Sequence, residues 1–399
     1  MVDRVGATRQ PDVVIVGGGA MGSAIATFLA MDPAFDGRIV VVERDPTYGH
    51  ASSALSASSI RQQFSTPENI RMSRFSWSFL AEADQHLAVD GTPASVGLHE
   101  SGYLYLAGPD AASTLQANHR VQRAEGADVV LLEPAALGAR FPWLTVDDLG
   151  LGSLGLGGEG WFDGYALLRA FRRKARSLGV EYLAAEVVAL RRAGDRVTAA
   201  VLADGAEIPC GALVNAAGPW AGQVAAMAGV RLPVEARRRC IFVFDARQRL
   251  PECPLVIDPS GAWFRPEGDA FICGTHPAED DDTADLPLHV DRRQFEDLLW
   301  PILAARVPAF EAVKVTNAWA GYYEMNTFDH NAILGLHPEI ANLYFANGFS
   351  GHGIQQSPAV GRAIAELIAH GRYVSLDLSV FGFERIAAGR QVLERNVIG

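Results

Sequence analysis

Cysteine is scarce in this chain, and the scarcity excludes a good deal. Among 399 residues there are four, Cys210, Cys240, Cys253 and Cys273, with no C-x-x-C pair. That spacing offers neither a disulfide framework nor a zinc site, and reads as reduced thiols of a cytoplasmic protein. Runs of Lys and Arg are also missing, and 34 basic residues face 46 acidic ones, a net charge of -12. That balance argues against a nucleic-acid or anionic-membrane surface. No apolar stretch is long enough to cross a bilayer, so the chain is not expected to be transmembrane. Met1–Gln10 is polar and of mixed charge, lacks the apolar centre of a secretory signal, and reads as a flexible tail. The acidic run Glu279–Asp282 lacks a complete calcium-loop pattern and reads as a solvated loop. No internal repeat is present.

What the chain does have is apolar material, 49% of its residues, and a length that suggests two structural units. Val13–Val16 is a short apolar run followed at once by glycines, the pattern of a buried parallel strand. Ala20 to Ala30 has helical spacing, and Ile39–Val42 is a second buried strand, so a strand–helix–strand unit opens the chain. Asp163 is placed to cap a helix through Leu167, Leu168, Phe171 and Leu178, which Gly179 stops. Val187–Ile208 reads as a strand pair with Asp204-Gly205 as its turn. Leu213 opens another buried strand that runs into Gly218. Leu343–Ala346 leads through a glycine cluster into a helix with Val360, Ile364, Leu367 and Ile368 on one face and Gly371 past its end. Between these lie two stretches of alternating apolar and aromatic residues, Gly102–Ala107 and Ile241–Thr275, with helical spacing at Leu115–Glu125 and Gln294–Arg306. They predict a strand-rich second unit built from two insertions into the first.

The sharpest local motif is Gly17-Gly-Gly19-Ala-Met-Gly22, between a strand and a helix. Gly17 allows a tight turn, Gly19 lets a pyrophosphate approach the backbone, and Gly22 lets the helix pack on the strand. The helix N-terminus supplies free N–H groups and positive potential for phosphates. Glu43 ends the second strand, where an acid accepts hydrogen bonds from ribose hydroxyls and repels a 2′-phosphate. The motif alone does not choose between FAD and NAD.

Taken together, the segments resemble the D-amino-acid oxidase superfamily, and within it the glycine and sarcosine oxidase branch. The resemblance covers nearly the whole chain. It is carried by the glycine motif, Ser52-Ser53, Ser59-Ile-Arg61, Ala216-Ala-Gly-Pro-Trp220, Trp263-Phe-Arg-Pro266, Gly274-Thr-His276, Trp319-Ala-Gly321 and Gly348-Phe-Ser-Gly-His-Gly353. Arg61-Gln-Gln-Phe-Ser65, Trp319-Ala-Gly-Tyr-Tyr323 and the tail after Gly371 are most similar to the FAD-dependent oxidoreductase domain-containing branch, which also occurs in mitochondria. The resemblance implies an α/β fold. A Rossmann-like, glutathione-reductase-like FAD-binding domain would take residues 11–92, 155–226 and 325–386. An inserted strand-rich α+β substrate domain would take 93–154 and 227–324.

It also implies FAD contacts at Gly17, Gly19, Ala20, Met21, Gly22, Glu43 and Arg44 from the first unit, and at Ser52 and Ser53 after it. Val188 would meet the adenine through its backbone, and Ala217, Gly218 and Trp220 would continue the cradle. Gly351, His352, Gly353, Ile354 and Gln355 open the C-terminal helix, whose N–H groups and dipole would face the flavin edge where negative charge develops. On the substrate side, Arg61 matches a carboxylate-binding Arg of the sarcosine oxidase type; a structural ion pair is the alternative. His276 matches an active-site His, with a hydrogen-bonded core His as the alternative. Tyr323 is placed to line the pocket, and Gln355 stands where relatives carry a second cation.

The departures from the pattern matter equally. Gly321 stands where covalent flavoproteins of this type carry a Cys, which predicts non-covalent FAD. Tyr322-Tyr323-Glu324 replaces the Arg that clamps simple D-amino acids. Ile272 falls where an oxygen-activating Lys is found, which suggests a dehydrogenase or a slow oxidase. The activity implied is oxidation of the C–N bond of a small secondary or N-methylated amine or amino acid, by hydride transfer to flavin N5, giving an imine that water hydrolyses. Electrons would pass to oxygen, a quinone or a carrier protein. Two other readings stay open: a non-catalytic flavoprotein assisting assembly of a larger complex, and an FAD-dependent hydroxy-acid dehydrogenase.

Overall fold

A computed structural model describes residues 12–277 and 281–395. The proposed N-terminal tail and part of the acidic run lie outside these residues. Six strands form one sheet in the order Ile333–Leu336, Leu343–Asn347, Ala212–Asn215, Val13–Val16, Ile39–Glu43, Glu181–Ala184. All its pairings are parallel except the first, a hairpin. Strand side chains alternate between faces, and both faces here are covered. Val13, Ile15, Val41 and Val214 meet the helices Ala20–Met31 and Gly353–His370 through Ile25, Leu29, Val360 and Ile364. Val14, Val16, Val40, Val42 and Leu213 meet the strands between Val187 and Pro209 and the helix Ala221–Met227. Burial on both faces is why these strands read as unbroken apolar runs.

The two central helices cross closely. A Cβ on Gly361 would lie 2.6 Å from Ala24 Cβ, so only glycine fits there. At the first turn, Gly17 has φ +101°, and a Cβ on it would lie 2.3 Å from the Ala216 carbonyl oxygen. Asp163 caps the helix Gly164–Ser177, its Oδ1 accepting the Ala166 N–H at 2.8 Å. Gly371, at φ +68°, ends the C-terminal helix in the left-handed conformation.

Eight strands form the second sheet, in the order Val313–Asn326, Val234–Ala246, Ala270–Gly274, Trp263–Glu267, Leu255–Ile257, Tyr103–Ala107, Leu151–Gly155, Val129–Leu132. One face carries Leu104, Phe242, Phe244, Val256, Phe264 and Cys273 into a core closed by Phe295, Leu299, Leu303 and Phe310. The other face, in register across the strands, presents Tyr105, Ile257, Trp263, Gly274, Ile241 and Trp319.

Three local readings need correction. Val187–Ile208 is not a strand pair but part of a three-stranded meander, Val187–Ala193, Arg196–Leu202 and Glu207–Pro209; Gly194 makes the first turn and Asp204-Gly205 the second. Gln294–Leu299 winds as π-helix before the α-helix Trp300–Arg306, because Pro301 has no N–H to continue the regular ladder. Asp282 is not a solvated acid but holds Arg239 through two bonds of 2.7 and 2.8 Å. The helix Pro67–Ala81, with Pro at its first turn, lies in a segment the sequence reading left unassigned. No helix among the described residues is long and apolar enough to cross a membrane.

Candidate active site

A cavity of about 750 Å³ opens where the first strand ends and runs to the open face of the eight-stranded sheet. At its near end Gly17, Gly19, Ala20 and Met21 line the wall, with the backbone of the first helix turn behind them. Gly22 does not reach the cavity. A Cβ there would lie 1.9 Å from the Gly17 carbonyl oxygen, so its role is helix–strand packing alone. Glu43 is pinned by backbone donors: Oε2 accepts the Gly18 N–H at 2.7 Å and Oε1 the Asp45 N–H at 2.8 Å. Arg44 lies over the Trp220 ring at 3.7 Å, and Trp220 meets Tyr322 edge-on at 6.0 Å.

Ser52 and Ser53 both line the cavity. Ser53 Oγ accepts the Ala20 N–H at 3.4 Å, while the buried Ser52 Oγ and Tyr48 hydroxyl have no hydrogen-bond partner among the described residues. Burial pushes the Tyr48 phenol up to about 12, so it remains a donor. Polar atoms of this kind on a cavity wall are available to the donors and acceptors of a ligand. Ala217 and Gly218 follow, and a Cβ on Gly218 would meet nothing within 4 Å, leaving open space at φ +55°. Val188 is 47% exposed and does not line the cavity with its side chain, while its neighbour Val187 lines the wall.

At the far end Gly351, Gly353 and Ile354 line the cavity, but His352 and Gln355 do not. Both stand behind Arg61. His352 Nε2 lies 2.7 Å from Arg61 Nη2, and Gln355 Oε1 accepts the Arg61 backbone N–H at 2.9 Å. The side chains of these two residues are thus engaged with the arginine, while the N–H groups of the helix opening remain those of the turn Gly351–Ile354. Arg61 is 6% exposed and lines the cavity, with its guanidinium beside the rings of Phe64, Tyr103 and Tyr105 at 4.8, 5.8 and 5.8 Å. The eight-stranded sheet adds apolar side chains to the same cavity: Leu255, Ile257, Trp263 and Ile241. Tyr323 lines the same region under Arg239, whose guanidinium lies 5.1 Å from the ring. His276 lies at the rim, exposed, with its Nδ1 3.2 Å from the Pro277 carbonyl oxygen.

Ile272 does not line the cavity. It is 2% exposed, paired between Arg265 and Val243, and the cations lining the far half are Arg61 and Arg239. Arg265 is a strand anchor, donating to the Ala57 carbonyl at 2.9 Å, and the Trp319 indole donates to the Leu55 carbonyl at 2.8 Å.

Two carboxyls escaped the sequence reading as site residues, Glu324 half-buried and Glu159 fully buried. Glu324 lines the cavity next to Gly353; burial pushes it up to about 8, against a weak bond from the Gly348 N–H at 3.2 Å. Glu159 lies behind Arg61 and is pushed up to about 7, again mainly by burial.

A strand–glycine–helix cradle, a pinned acid at the second strand end and a glycine-opened helix at the far end define a dinucleotide-binding protein. The family model for FAD dependent oxidoreductases, DAO, matches residues 12–367, and the chain belongs to that family. It is 44% identical to FAD-dependent oxidoreductase domain-containing protein 1 of Xenopus laevis, over 98% of this chain and 85% of that one. It is 27% identical to glycine oxidase of Geobacillus kaustophilus (strain HTA426), over 95% of this chain and 98% of that one. Among solved structures, L-proline dehydrogenase from P. horikoshii superposes with a TM-score of 0.85 at 25% identity, covering 96% of this chain and 99% of the other. The cofactor is FAD, and the partnerless Ser52 and Tyr48 hydroxyls and the open space at Gly218 fit it.

Proposed function

We propose that the protein oxidises the C–N bond of a small secondary or N-methylated amino acid, giving an imine that water hydrolyses. The observation that carries this reading is Arg61: a buried guanidinium lining a cavity to which the eight-stranded sheet contributes Leu255, Ile257, Trp263 and Ile241. Such a cavity receives a carboxylate at the guanidinium and a hydrocarbon chain or ring against the apolar side chains. A guanidinium does not deprotonate in a protein, so the clamp works across the physiological range.

FAD would be held by the backbone from Gly17 to Met21, by Glu43, Ser52, Ser53 and Gly218, and by the turn at Gly351–Ile354, and when bound would supply the two-electron sink for the oxidation. The chain's own work is positioning. Arg61 orients the carboxylate, the Tyr103, Ile257 and Trp263 wall excludes water, and the helix N-terminus at Gly353 favours negative charge. His276, exposed at the rim, is left to meet the amine as it enters. Gly321 offers no side-chain nucleophile, and this supports non-covalent FAD. The inserted substrate domain corresponds to the eight-stranded sheet, and the four buried, unpaired thiols support a reducing compartment.

Anaerobic mixing of the yellow holoprotein with sarcosine, other N-methyl amino acids and proline tests the proposal. Bleaching of the flavin band by one of them, abolished in Arg61→Gln, is expected. Bleaching by none, or only by hydroxy acids, overturns it. Stopped-flow reoxidation with oxygen, a quinone or a carrier protein then separates the acceptors.

A further inference from the structure

Behind Arg61 lies a second, wholly buried layer. Glu159, at 0% exposure, follows Gly158 in a tight turn, and its carboxylate faces the chain that leaves Arg61. Oε1 accepts the backbone N–H groups of Gln62 at 2.6 Å and Gln63 at 3.1 Å, and Oε2 accepts the Gln63 side-chain amide at 2.9 Å. Gln63 is itself held at both ends: its amide nitrogen donates to the Tyr103 carbonyl at 3.1 Å, and its oxygen accepts the Ser153 hydroxyl at 2.7 Å. The Gln62 side chain donates to the Gly158 carbonyl at 3.0 Å. A carboxyl that gathers three N–H groups from the two residues after an arginine fixes where that arginine's side chain starts. With Gln355 holding the Arg61 N–H from the other direction, the backbone at Arg61 is pinned on both sides by buried side chains.

We propose that Glu159 is the positioning residue of Arg61, and that the Glu159 carboxyl takes up a proton when a carboxylate ligand docks there. The inference rests on the reading of Arg61 as the carboxylate clamp. The physical argument has two parts. Geometry comes first: removal of the three bonds frees the segment on which the guanidinium is aimed, and a clamp misaimed by a fraction of an ångström loses its fork-to-fork match. Charge comes second. The charged or titratable groups that sense Glu159 are Arg61 from its own segment and Tyr103 and Tyr105 from the strand Tyr103–Ala107. Burial already pushes Glu159 up to about 7, against the pull of its Gln63 and Gln62 donors and of Arg61. A ligand carboxylate that engages Arg61 adds a like charge to the same buried site, and a like charge favours the protonated form. Ligand binding therefore draws in a fraction of a proton near neutrality, and affinity falls as the pH rises through the Glu159 transition. A displacement of one pH unit on binding corresponds to about tenfold weaker binding well above the transition than well below it.

The test uses the FAD-loaded protein and 2-furoate, a flat ring carboxylate with no hydrogen to lose. Calorimetric titration at pH 7 in two buffers of different ionisation enthalpy reads proton uptake directly, and flavin difference spectra between pH 5.5 and 8.5 read the dissociation constant. The wild type is expected to take up a fraction of a proton and to lose about tenfold in affinity across that range. With Glu324, the other raised acid on this cavity, replaced by Gln in every protein compared so that it cannot titrate, Glu159→Gln is expected to bind with no proton uptake and no pH slope. Glu159→Asp, which keeps a titrating carboxyl on a shorter arm, retains the uptake but binds more weakly at every pH. Furoate that does not bind, or binds equally well to Arg61→Gln, overturns the clamp and this inference with it. Furoate that needs Arg61 but shows the same uptake and slope in Glu159→Gln, or no uptake in the wild type and Glu159→Asp, overturns the role of Glu159 alone.

Discussion

Glu324 gives a prediction whose size follows from its surroundings. The residue lies half-buried on the cavity wall with a long hydrogen bond from the Gly348 N–H at 3.2 Å, and desolvation displaces its carboxyl from the ordinary 4.5 to about 8. An acid raised in this way binds its proton more tightly folded than unfolded. Its contribution is thus fully present below pH 4.5 and is lost as the pH climbs to about 8. At about 1.4 kcal/mol per pH unit, the whole displacement amounts to on the order of 5 kcal/mol, an upper figure because a buried site relaxes as it charges. Glu324→Gln keeps the shape and an oxygen for Gly348 but never ionises. Relative to wild type it should therefore gain stability between pH 6 and pH 9.5, by several kcal/mol, or roughly 5 °C in melting temperature for a chain of this size. Thermal melts of both holoproteins across that range, followed by circular dichroism, provide the comparison. Two curves that stay parallel would refute the reasoning and mean that Glu324 is solvated, or already ionised, in the folded protein.

Three further outcomes are expected. Arg61→Gln should retain FAD yet lose about 100-fold in kcat/KM for any carboxylate substrate, since a two-pronged charged contact is worth a few kcal/mol; steady-state kinetics beside a flavin absorbance ratio will read both. Gly361→Ala would put a methyl 2.6 Å from Ala24 Cβ and 2.9 Å from the Ala24 carbonyl carbon, and the overpacked crossing should cost about 1–3 kcal/mol in a denaturant titration. Glu394→Ala removes three 2.6 Å bonds, from the Ser65 N–H and hydroxyl and the Asn69 amide, and should loosen the C-terminal strap so that trypsin cuts at Arg390 several-fold sooner in a timed digest.

The cradle for the dinucleotide was legible because its reasons are local. Gly17, Gly19 and Gly22 sit between a strand and a helix within a few residues, and each answers a backbone requirement that the sequence states outright. Asp163 and Gly371 were legible for the same reason, as a cap and a stop. The far end was harder. His352 and Gln355 open the helix after a glycine turn, which the sequence shows, but their side chains reach Arg61, 291 and 294 residues away in sequence, which it does not. Ile272 sits two residues from Gly274 and so shares its sheet face, but its partners Arg265 and Val243 keep it buried outside the cavity, which no short alignment reveals. Arg239 was half visible: in the strand Val234–Ala246 it alternates in phase with Ile241, so whatever face Ile241 takes, Arg239 shares.

Glu159 and Glu324 were invisible for a different reason. A carboxyl becomes unusual only when the fold removes its water, and the residues that do so come from distant parts of the chain. Glu324 is closed in by the Gly348–Gly353 turn, and Glu159 by Gln62 and Gln63. Each acid stands next to a group the sequence did announce, Glu324 beside Gly353 and Glu159 behind Arg61. The family pattern therefore names the groups that touch cofactor and substrate, while the groups that set their charge and aim lie one layer out, where only the packing identifies them. It follows that a change in this second layer should move pH dependence and affinity before it moves cofactor content, and that separation is measurable on one purified protein.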